Sequence, residues 1–326
     1  MSADRPRVLV VHPVLEPGAR LLEEAFQLVR PEGAEGTREA RLKELVRGCQ
    51  GIVSLITDRI GEALLAEPGL RCVANVGVGF DNVDLDAARR HRVMVTNTPG
   101  VLDEATADFT LALLLAAARR VVEGDRLIRD GGFNGWALDL LLGLDLSRRT
   151  LGVVGFGRIG RAVARRAQGF DMEVLYFSRH RLEPAEEARL NVRWAPLERL
   201  LQTSDFVSLH VPLTGQTRHL ISTRELALMK STAVLVNTSR GPVVDEAALA
   251  AALAERRLWA AALDVFEREP LVHPNLLDSP HAVLAPHLGS ASVGTRGAMS
   301  ELAARNLIAA LSGLRPPNLV NPEVLA

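Results

Sequence analysis

Short runs of Val, Ile, Leu and Ala recur along the chain, separated by longer segments in which apolar residues return at helical spacing. In the first hundred residues the runs are RVLVVH, GIVSLI, RCVANV and VMVTNT. Their short length and β-branched content predict buried strands rather than helices. Between them, segments such as TREARLKELVRGC and DLDAARRH read as helices. A second series opens at TLGVV and continues through EVLYFS, DFVSLHV, AVLVNT, AALDVF and AVLAP, predicting six strands. Strand–helix alternation of this kind predicts α/β architecture, with parallel sheets covered by helices on both faces.

Between the two series, TPGVLDEATADFTLALLLAAARRVVEGDRLIRDGG predicts one long helix from just after Pro99 to near Gly131–Gly132. No proline interrupts it, and its middle is apolar nearly all round, so burial between layers is expected. Its most apolar part, FTLALLLAAA, is bounded by Asp108 and Arg119. That falls well short of the roughly 18 apolar residues needed to cross a bilayer. Near the C-terminal end, ASVGTRGAMSELAARNLIAALSG predicts a helix closed by Gly313. A lone helix after the last strand has no sheet of its own to cover, so it is expected to return to the first domain.

Composition narrows the partners. The 326 residues suffice for two domains, and 48% hydrophobic with 24% charged content suits a soluble globular protein. A formal net charge of −1 argues against nucleic-acid and membrane-surface partners. All but two of the 38 basic residues are arginine, the lysines being Lys43 and Lys230. Cys49 and Cys72 lie in no metal-ligand spacing, so no metal site is expected, and two thiols fit a reducing compartment. MSADRPRVLVVHP is too short in its apolar run for a signal peptide, which points to a cytoplasmic protein.

The clearest motif is GxGxxG, formed by Gly155, Gly157 and Gly160 directly after TLGVV and at the head of RIGRAVARRA. The first glycine permits a tight turn, the second lets backbone approach a pyrophosphate, and the third lets helix and strand pack closely. The helix start, with Arg158 and Ile159, offers N–H groups to the phosphates. The motif alone is weak evidence, but its strand–turn–helix setting strengthens it. The next strand ends in Ser178, Arg179, His180 and Arg181, where an NAD-binding protein usually carries a carboxylate for the adenine ribose. Without that carboxylate, nothing repels a 2′-phosphate. Arg179 is placed to bind one, helped by Ser178 and by His180 or Arg181. The plain alternative is a solvated loop in an arginine-rich chain. The reading favours NADP(H), with NAD(H) as the second option. Pro212, Thr217, Thr238 and Gly289 complete the candidate cofactor-binding set.

Three later segments past strand ends carry Arg240 (VLVNTSRG), Glu269 (LDVFEREP) and His287 (VLAPHLGS). In an open α/β sheet such positions gather at the ligand crevice. An arginine can hold a substrate carboxylate and polarise its carbonyl. An imidazolium can protonate the developing alkoxide, with a carboxylate orienting the ring. Taken singly, each has a plain structural alternative as a surface arginine, a loop cap or a loop histidine. Together, at matching places, they suit reduction of a 2-oxo acid.

TSRG, DVFEREP and APHLGSAS, with GFGRIG, GVGFDNVDL and ATADFTLALLLAAARR upstream, resemble the D-isomer-specific 2-hydroxyacid dehydrogenase family over essentially the whole chain. The resemblance implies that Arg240 binds substrate, that His287 is the acid/base and that Glu269 is its partner. It also implies Asp264 near the nicotinamide carboxamide and Thr106 facing the cofactor. The loop Val76–Gly79 would cradle the substrate carboxylate through the N–H groups of Val78 and Gly79. The implied fold is a Rossmann coenzyme domain, 99–287, inserted in a flavodoxin-like substrate domain, 1–98 plus 288–326. A homodimer through the long helix and an arm near Trp136 is implied as well.

Within the family, phosphoglycerate dehydrogenases carry arginines where this chain has Ser54 and Asn75, which disfavours a phosphorylated substrate. LDSPHAVLAPHLGSAS, the SRHR strand end and Trp136 most resemble the glyoxylate and hydroxypyruvate reductase branch. There a tryptophan of the arm can reach the partner's active site, although Trp136 as a buried anchor of the arm explains it equally. Leu55 and Ser290 are further candidates for the substrate pocket. The expected activity is reduction of a small 2-oxo acid, glyoxylate or hydroxypyruvate, with NADPH. A broader NADH-linked D-2-hydroxyacid or D-3-phosphoglycerate dehydrogenase and a nucleotide-sensing corepressor are the alternatives.

Overall fold

The computed structural model describes residues 5–31 and 38–325. The chain divides into two compact units, one formed by the residues up to Leu102 with those from Ser292 onward, the other by Asp103–Ala291.

The first unit is built on five parallel strands, β1 (Arg7–Val10), β2 (Gln27–Val29), β3 (Gly51–Leu55), β4 (Cys72–Val76) and β5 (Met94–Thr96). Their order, β2-β1-β3-β4-β5, is that of the flavodoxin-like doubly wound sheet. Alternate strand residues feed two cores. Val8, Val10, Val53 and Ala74 pack with Ala303, Leu307 and Ala310 of the helix Val293–Leu311, while Leu9, Ile52 and Val73 pack with Leu64, Leu65 and Ala87. Burial on both faces is why these strands read as continuous apolar runs. The C-terminal helix lies against the helix Gly18–Ala25. A Cβ on Gly18 would come within 2.4 Å of the Ser300 carbonyl, so this contact requires glycine. Strand β2 went unread because QLV is too short, and too exposed at the sheet edge, to show a period.

The second unit holds seven parallel strands, β6 (Thr150–Val154), β7 (Glu173–Phe177), β8 (Arg193–Trp194), β9 (Phe206–Leu209), β10 (Val234–Asn237), β11 (Ala260–Leu263) and β12 (Ala282–Leu284). Their order, β12-β11-β10-β9-β6-β7-β8, is the Rossmann arrangement extended by one strand at the β12 edge. The additional strand relative to the sequence reading is β8, a two-residue edge strand with no periodicity to detect.

The single long helix expected after Pro99 is instead two, Asp103–Ala118 and Val121–Arg129. The break has a local cause. Arg120 sits in the left-handed region at φ 55°, and the Ala118 carbonyl accepts the N–H of Leu144 at 2.8 Å. That returning strand of chain occupies the site a continuing helix would use. A Cβ on Gly143 would lie 2.5 Å from the same carbonyl oxygen. The first helix is buried through Thr110, Leu111, Leu114 and Ala117, as its composition requires. The second has no buried residue, so expected burial holds only for the first piece.

Among the described residues, no helix is long and apolar enough to cross a membrane.

Leu114, fully buried in the core shared by this helix and β6, tests the packing. Leu114→Ala is expected to cost about 2–5 kcal/mol, read as a lowered denaturant midpoint for the second unit's unfolding.

Candidate active site

Parallel pairing sets the ends of the second unit's strands side by side, so the residues that follow leave the sheet along one edge. After β6, Gly155 adopts φ +95°, and a Cβ there would meet the His210 carbonyl oxygen at 2.5 Å. A Cβ on Gly160 would lie 2.2 Å from the Gly155 oxygen. Gly157 faces open space, at the uncapped N-terminus of the helix Arg158–Gln168, which has no acidic residue in its first turn. An open turn rimmed by N–H groups at a helix start fits the pyrophosphate of a dinucleotide.

At the end of β7 the basic cluster separates into two roles. Both Nε and a terminal nitrogen of Arg181 donate to Glu187, at 2.8 and 3.0 Å, and the guanidinium lies 5.8 Å from the Trp194 ring centroid. Glu187 also accepts the Tyr176 hydroxyl at 2.9 Å, and the Arg181 pairing holds its carboxyl below the usual carboxylate range. Arg181 is thus tied to Glu187 and Trp194, a pairing that Arg179 does not share. Ser178 Oγ donates to the His180 carbonyl, turning the loop so that Arg179 and His180 are exposed. The Arg179 guanidinium makes no ion pair among the described residues.

Beyond β9, burial pushes His210 down to about 3, so it is neutral, with Nε2 2.8 Å from Ser208 Oγ. Thr217 Oγ1 donates to the Pro212 carbonyl at 2.6 Å and closes the loop that contains both. Beyond β10, the buried Asn237 shapes the next turn: Nδ2 donates to the Arg240 carbonyl at 2.9 Å, and Oδ1 accepts both Ser239 donors. Thr238 Oγ1 lies 2.8 Å from Thr110 Oγ1, which donates to the Thr106 carbonyl at 2.7 Å.

Beyond β11, the carboxylate of Asp264 accepts the successive N–H groups of Leu288 and Gly289 at 2.6 and 2.8 Å. Burial raises its pKa against those two bonds. Its own carbonyl accepts the His287 N–H at 2.9 Å. His287 is thereby held at φ 58°, a conformation that costs a non-glycine residue roughly 1–3 kcal/mol and is kept only where its surroundings fix it. A Cβ on Gly289 would sit within 3.4 Å of both Asp264 and Thr106, so these three gather closely.

Glu269 Oε2 lies 3.0 Å from His287 Nδ1, and each side chain is 27% exposed. Glu269 Oε1 accepts the Phe266 N–H at 3.1 Å. Burial alone would raise the Glu269 pKa. The His287 bond and charge, the Phe266 N–H and the Arg240 charge outweigh it, and the carboxyl stays below its ordinary value.

The remaining candidates are distributed as follows. Leu55, Val78 and Gly79 belong to the first unit. The Gly77 carbonyl accepts Thr98 N–H at 2.9 Å, and the Val78 carbonyl accepts Asn97 Nδ2 at 2.8 Å. In trans peptides these bonds turn the N–H groups of Val78 and Gly79 the opposite way, away from Thr98 and Asn97. Ser290 is half-buried beside Gly289. Trp136 is 82% exposed within the chain, so it is not an anchor buried by its own segment. Asn237 and Thr110 were missed in the sequence. An apolar strand ending in Asn and a helix containing Thr carry no spacing that announces such bonds.

A glycine turn at a helix N-terminus and a His–carboxylate pair at neighbouring strand ends define a nicotinamide-dependent dehydrogenase. Comparison with known proteins agrees. The family model for the D-isomer specific 2-hydroxyacid dehydrogenase NAD binding domain matches residues 111–289. The chain is 51% identical over 324 residues to the glyoxylate reductase of Korarchaeum cryptofilum, covering 98% of this chain and 97% of that one. Among solved structures, a protein of Thermus thermophilus superposes with a TM-score of 0.89 at 46% identity, over 96% of this chain and 99% of the other. An NADPH-dependent glyoxylate/hydroxypyruvate reductase from Sinorhizobium meliloti, solved with NADP and malonate, gives 0.86 at 36% identity, with 98% of each chain covered. The chain belongs to the D-isomer-specific 2-hydroxyacid dehydrogenase family and is an NAD(P)-dependent enzyme.

Removing the imidazole tests the electrostatics. In His287→Ala, burial of Glu269 remains while its largest opposing partner is gone, so the Glu269 pKa is expected to rise. Its stabilising contribution, present above the unfolded pKa and lost as pH falls through the folded one, should vanish. The infrared band of a protonated carboxyl, assigned by its absence in the double variant with Glu269→Gln, should persist to higher pH than in the parent.

Proposed function

We propose that this protein reduces glyoxylate and hydroxypyruvate to glycolate and D-glycerate, preferring NADPH over NADH. The observation that carries the reading is the Glu269–His287 pair, 3.0 Å apart, with the Arg240 charge acting on the same carboxylate. When bound, the nicotinamide supplies the hydride that adds to the substrate's carbonyl carbon. His287 Nδ1 donates to Glu269, which leaves the Nε2 proton of the imidazolium for the forming alkoxide. Glu269 orients the ring and favours its charged form. Arg240 holds the substrate carboxylate and polarises the carbonyl, and the Val78 and Gly79 N–H groups take the remaining carboxylate oxygen. Leu55, Ser290 and, from a second copy, Trp136 are the proposed walls of the pocket.

On the cofactor side, Gly155, Gly157, Arg158, Ile159 and Gly160 take the pyrophosphate, and Pro212, Thr217, Thr238, Thr106, Asp264 and Gly289 line the rest. Support for NADPH comes from Arg179, exposed and without an ion pair among the described residues at a strand end that lacks a carboxylate. The name of the Sinorhizobium relative points the same way. Against a phosphorylated substrate stands the Ser54–Asn75 hydrogen bond at 3.2 Å, both residues buried and uncharged. The exposed apolar residues Ile128, Phe133, Trp136 and Leu142 support a homodimer. Buried free thiols at Cys49 and Cys72 fit a cytoplasmic setting.

Initial rates with each acid and each cofactor test this reading. Glyoxylate and hydroxypyruvate should both turn over, faster at limiting NADPH than NADH. Arg179→Ala should raise KM for NADPH by about 10-fold while leaving NADH nearly unaffected, the cost of one charge-assisted phosphate contact. His287→Ala should lose about 100- to 10,000-fold in kcat with cofactor binding retained. An NADH preference in the parent would overturn the cofactor assignment, and absence of turnover with either acid would point to another 2-oxo acid or to a sensing role.

A further inference from the structure

Two carboxylates of the second unit have no part in the reading above, Glu246 and Glu267, and each is bonded to the other's backbone. The Glu246 N–H donates to Glu267 Oε1 at 2.9 Å, and the Glu267 N–H donates to Glu246 Oε1. Glu246 Oε2 accepts the His273 N–H at 3.3 Å, and His219 Nε2 lies 3.1 Å from Glu267 Oε1. Glu246 is only 7% exposed although it opens the helix Glu246–Ala254, where a water-facing carboxylate would satisfy the helix end equally well. Burial and the nearby Glu267 charge both raise its pKa, against the N–H groups it accepts. A buried carboxylate beside a second, half-buried one is costly, and the fold keeps it.

The location explains what it could hold. Glu267 stands two residues before Glu269 and directly follows Phe266, whose N–H bonds Glu269 Oε1. His273 lies beyond Pro270, so Glu246 grips the loop on both sides of Glu269. On the other side, Glu246 closes the segment that begins at Arg240. Gly241 packs so tightly on the Phe266 peptide that a Cβ would lie 1.8 Å from the Phe266 carbonyl carbon. The brace therefore ties the loop carrying Glu269 to the turn carrying Arg240.

We infer that Glu246 and Glu267 are positioning residues, fixing Glu269 and Arg240 relative to each other so that the His287 imidazole is held oriented for proton transfer. This rests on the roles of Arg240, Glu269 and His287 given under Proposed function. Two carboxylates are suited to the task because each oxygen accepts without donating. An amide in place of Glu246 would set an NH2 group against the N–H of Glu267 or of His273. Titratable and charged groups facing the brace are His219, Asp245 and His273, and those facing the Glu269–His287 pair are Arg240 and Asp264.

The test uses Glu246→Gln and Glu267→Ala, the latter removing the acceptor of the Glu246 N–H, in the full-length enzyme with glyoxylate and NADPH, beside His287→Ala. Expected is a fall in kcat of about 10- to 100-fold, the scale of a catalytic group displaced by up to an ångström. NADPH affinity, read by quenching of protein fluorescence, should stay within about 2-fold, since the glycine turn is untouched. Should Glu246→Gln fail to accumulate folded, Glu267→Ala carries the same measurements. A lowered melting temperature with kcat unchanged overturns the inference and leaves the two residues as stability elements. Retained turnover in His287→Ala would instead overturn the reading of the site on which it rests.

Discussion

In-register parallel pairing of β10, β11 and β12 is the constraint on which the site depends. Asn237 lies level with Leu263, and Leu263 level with Leu284. The turn carrying Arg240, the loop carrying Asp264 and Glu269 and the loop carrying His287 therefore emerge together, although they are far apart in sequence. A register slip of one residue in any of these strands would reverse the faces of its side chains and move its loop along the edge.

Backbone hydrogen bonding then converts proximity into geometry. Asp264 takes two consecutive N–H groups from the His287 loop, Asn237 folds the Arg240 turn on itself, and Glu246 takes the N–H groups of Glu267 and His273. Each of these acceptors is buried, where an unsatisfied N–H would cost about 1–3 kcal/mol. The left-handed His287 backbone is tolerated in that setting because Asp264 bonds on both sides of its peptide. Buried polar groups here specify loop shape, while the apolar cores beneath fix where the loops begin.

The same division separates the basic residues after β7. Both arginines are exposed, but Arg181 is paired with Glu187 and lies over Trp194, whereas Arg179 makes no ion pair among the described residues. In the sequence the two arginines are equivalent, flanking His180 in an SRHR string. Only the partner supplied from the helix Pro184–Leu190 tells them apart.

Much of the architecture was legible before the structure. The two strand series, the glycine turn and the three residues at strand ends were visible because hydrophobic period and glycine spacing are local properties. Strands β2 and β8 escaped because three- and two-residue edge strands have no period. The long helix was misread because its break comes from Leu144, which bonds the Ala118 carbonyl from 26 positions further along the chain. Asn237, Thr110 and the Glu246–Glu267 brace are of the same kind, since their meaning lies in partners from other elements. Sequence by itself determined which segments form strands, which residue types could carry the chemistry and which turn could take a dinucleotide. Only the tertiary structure decided which polar side chains face one another, because that depends on register and loop return, and neither is written in any local window of the chain.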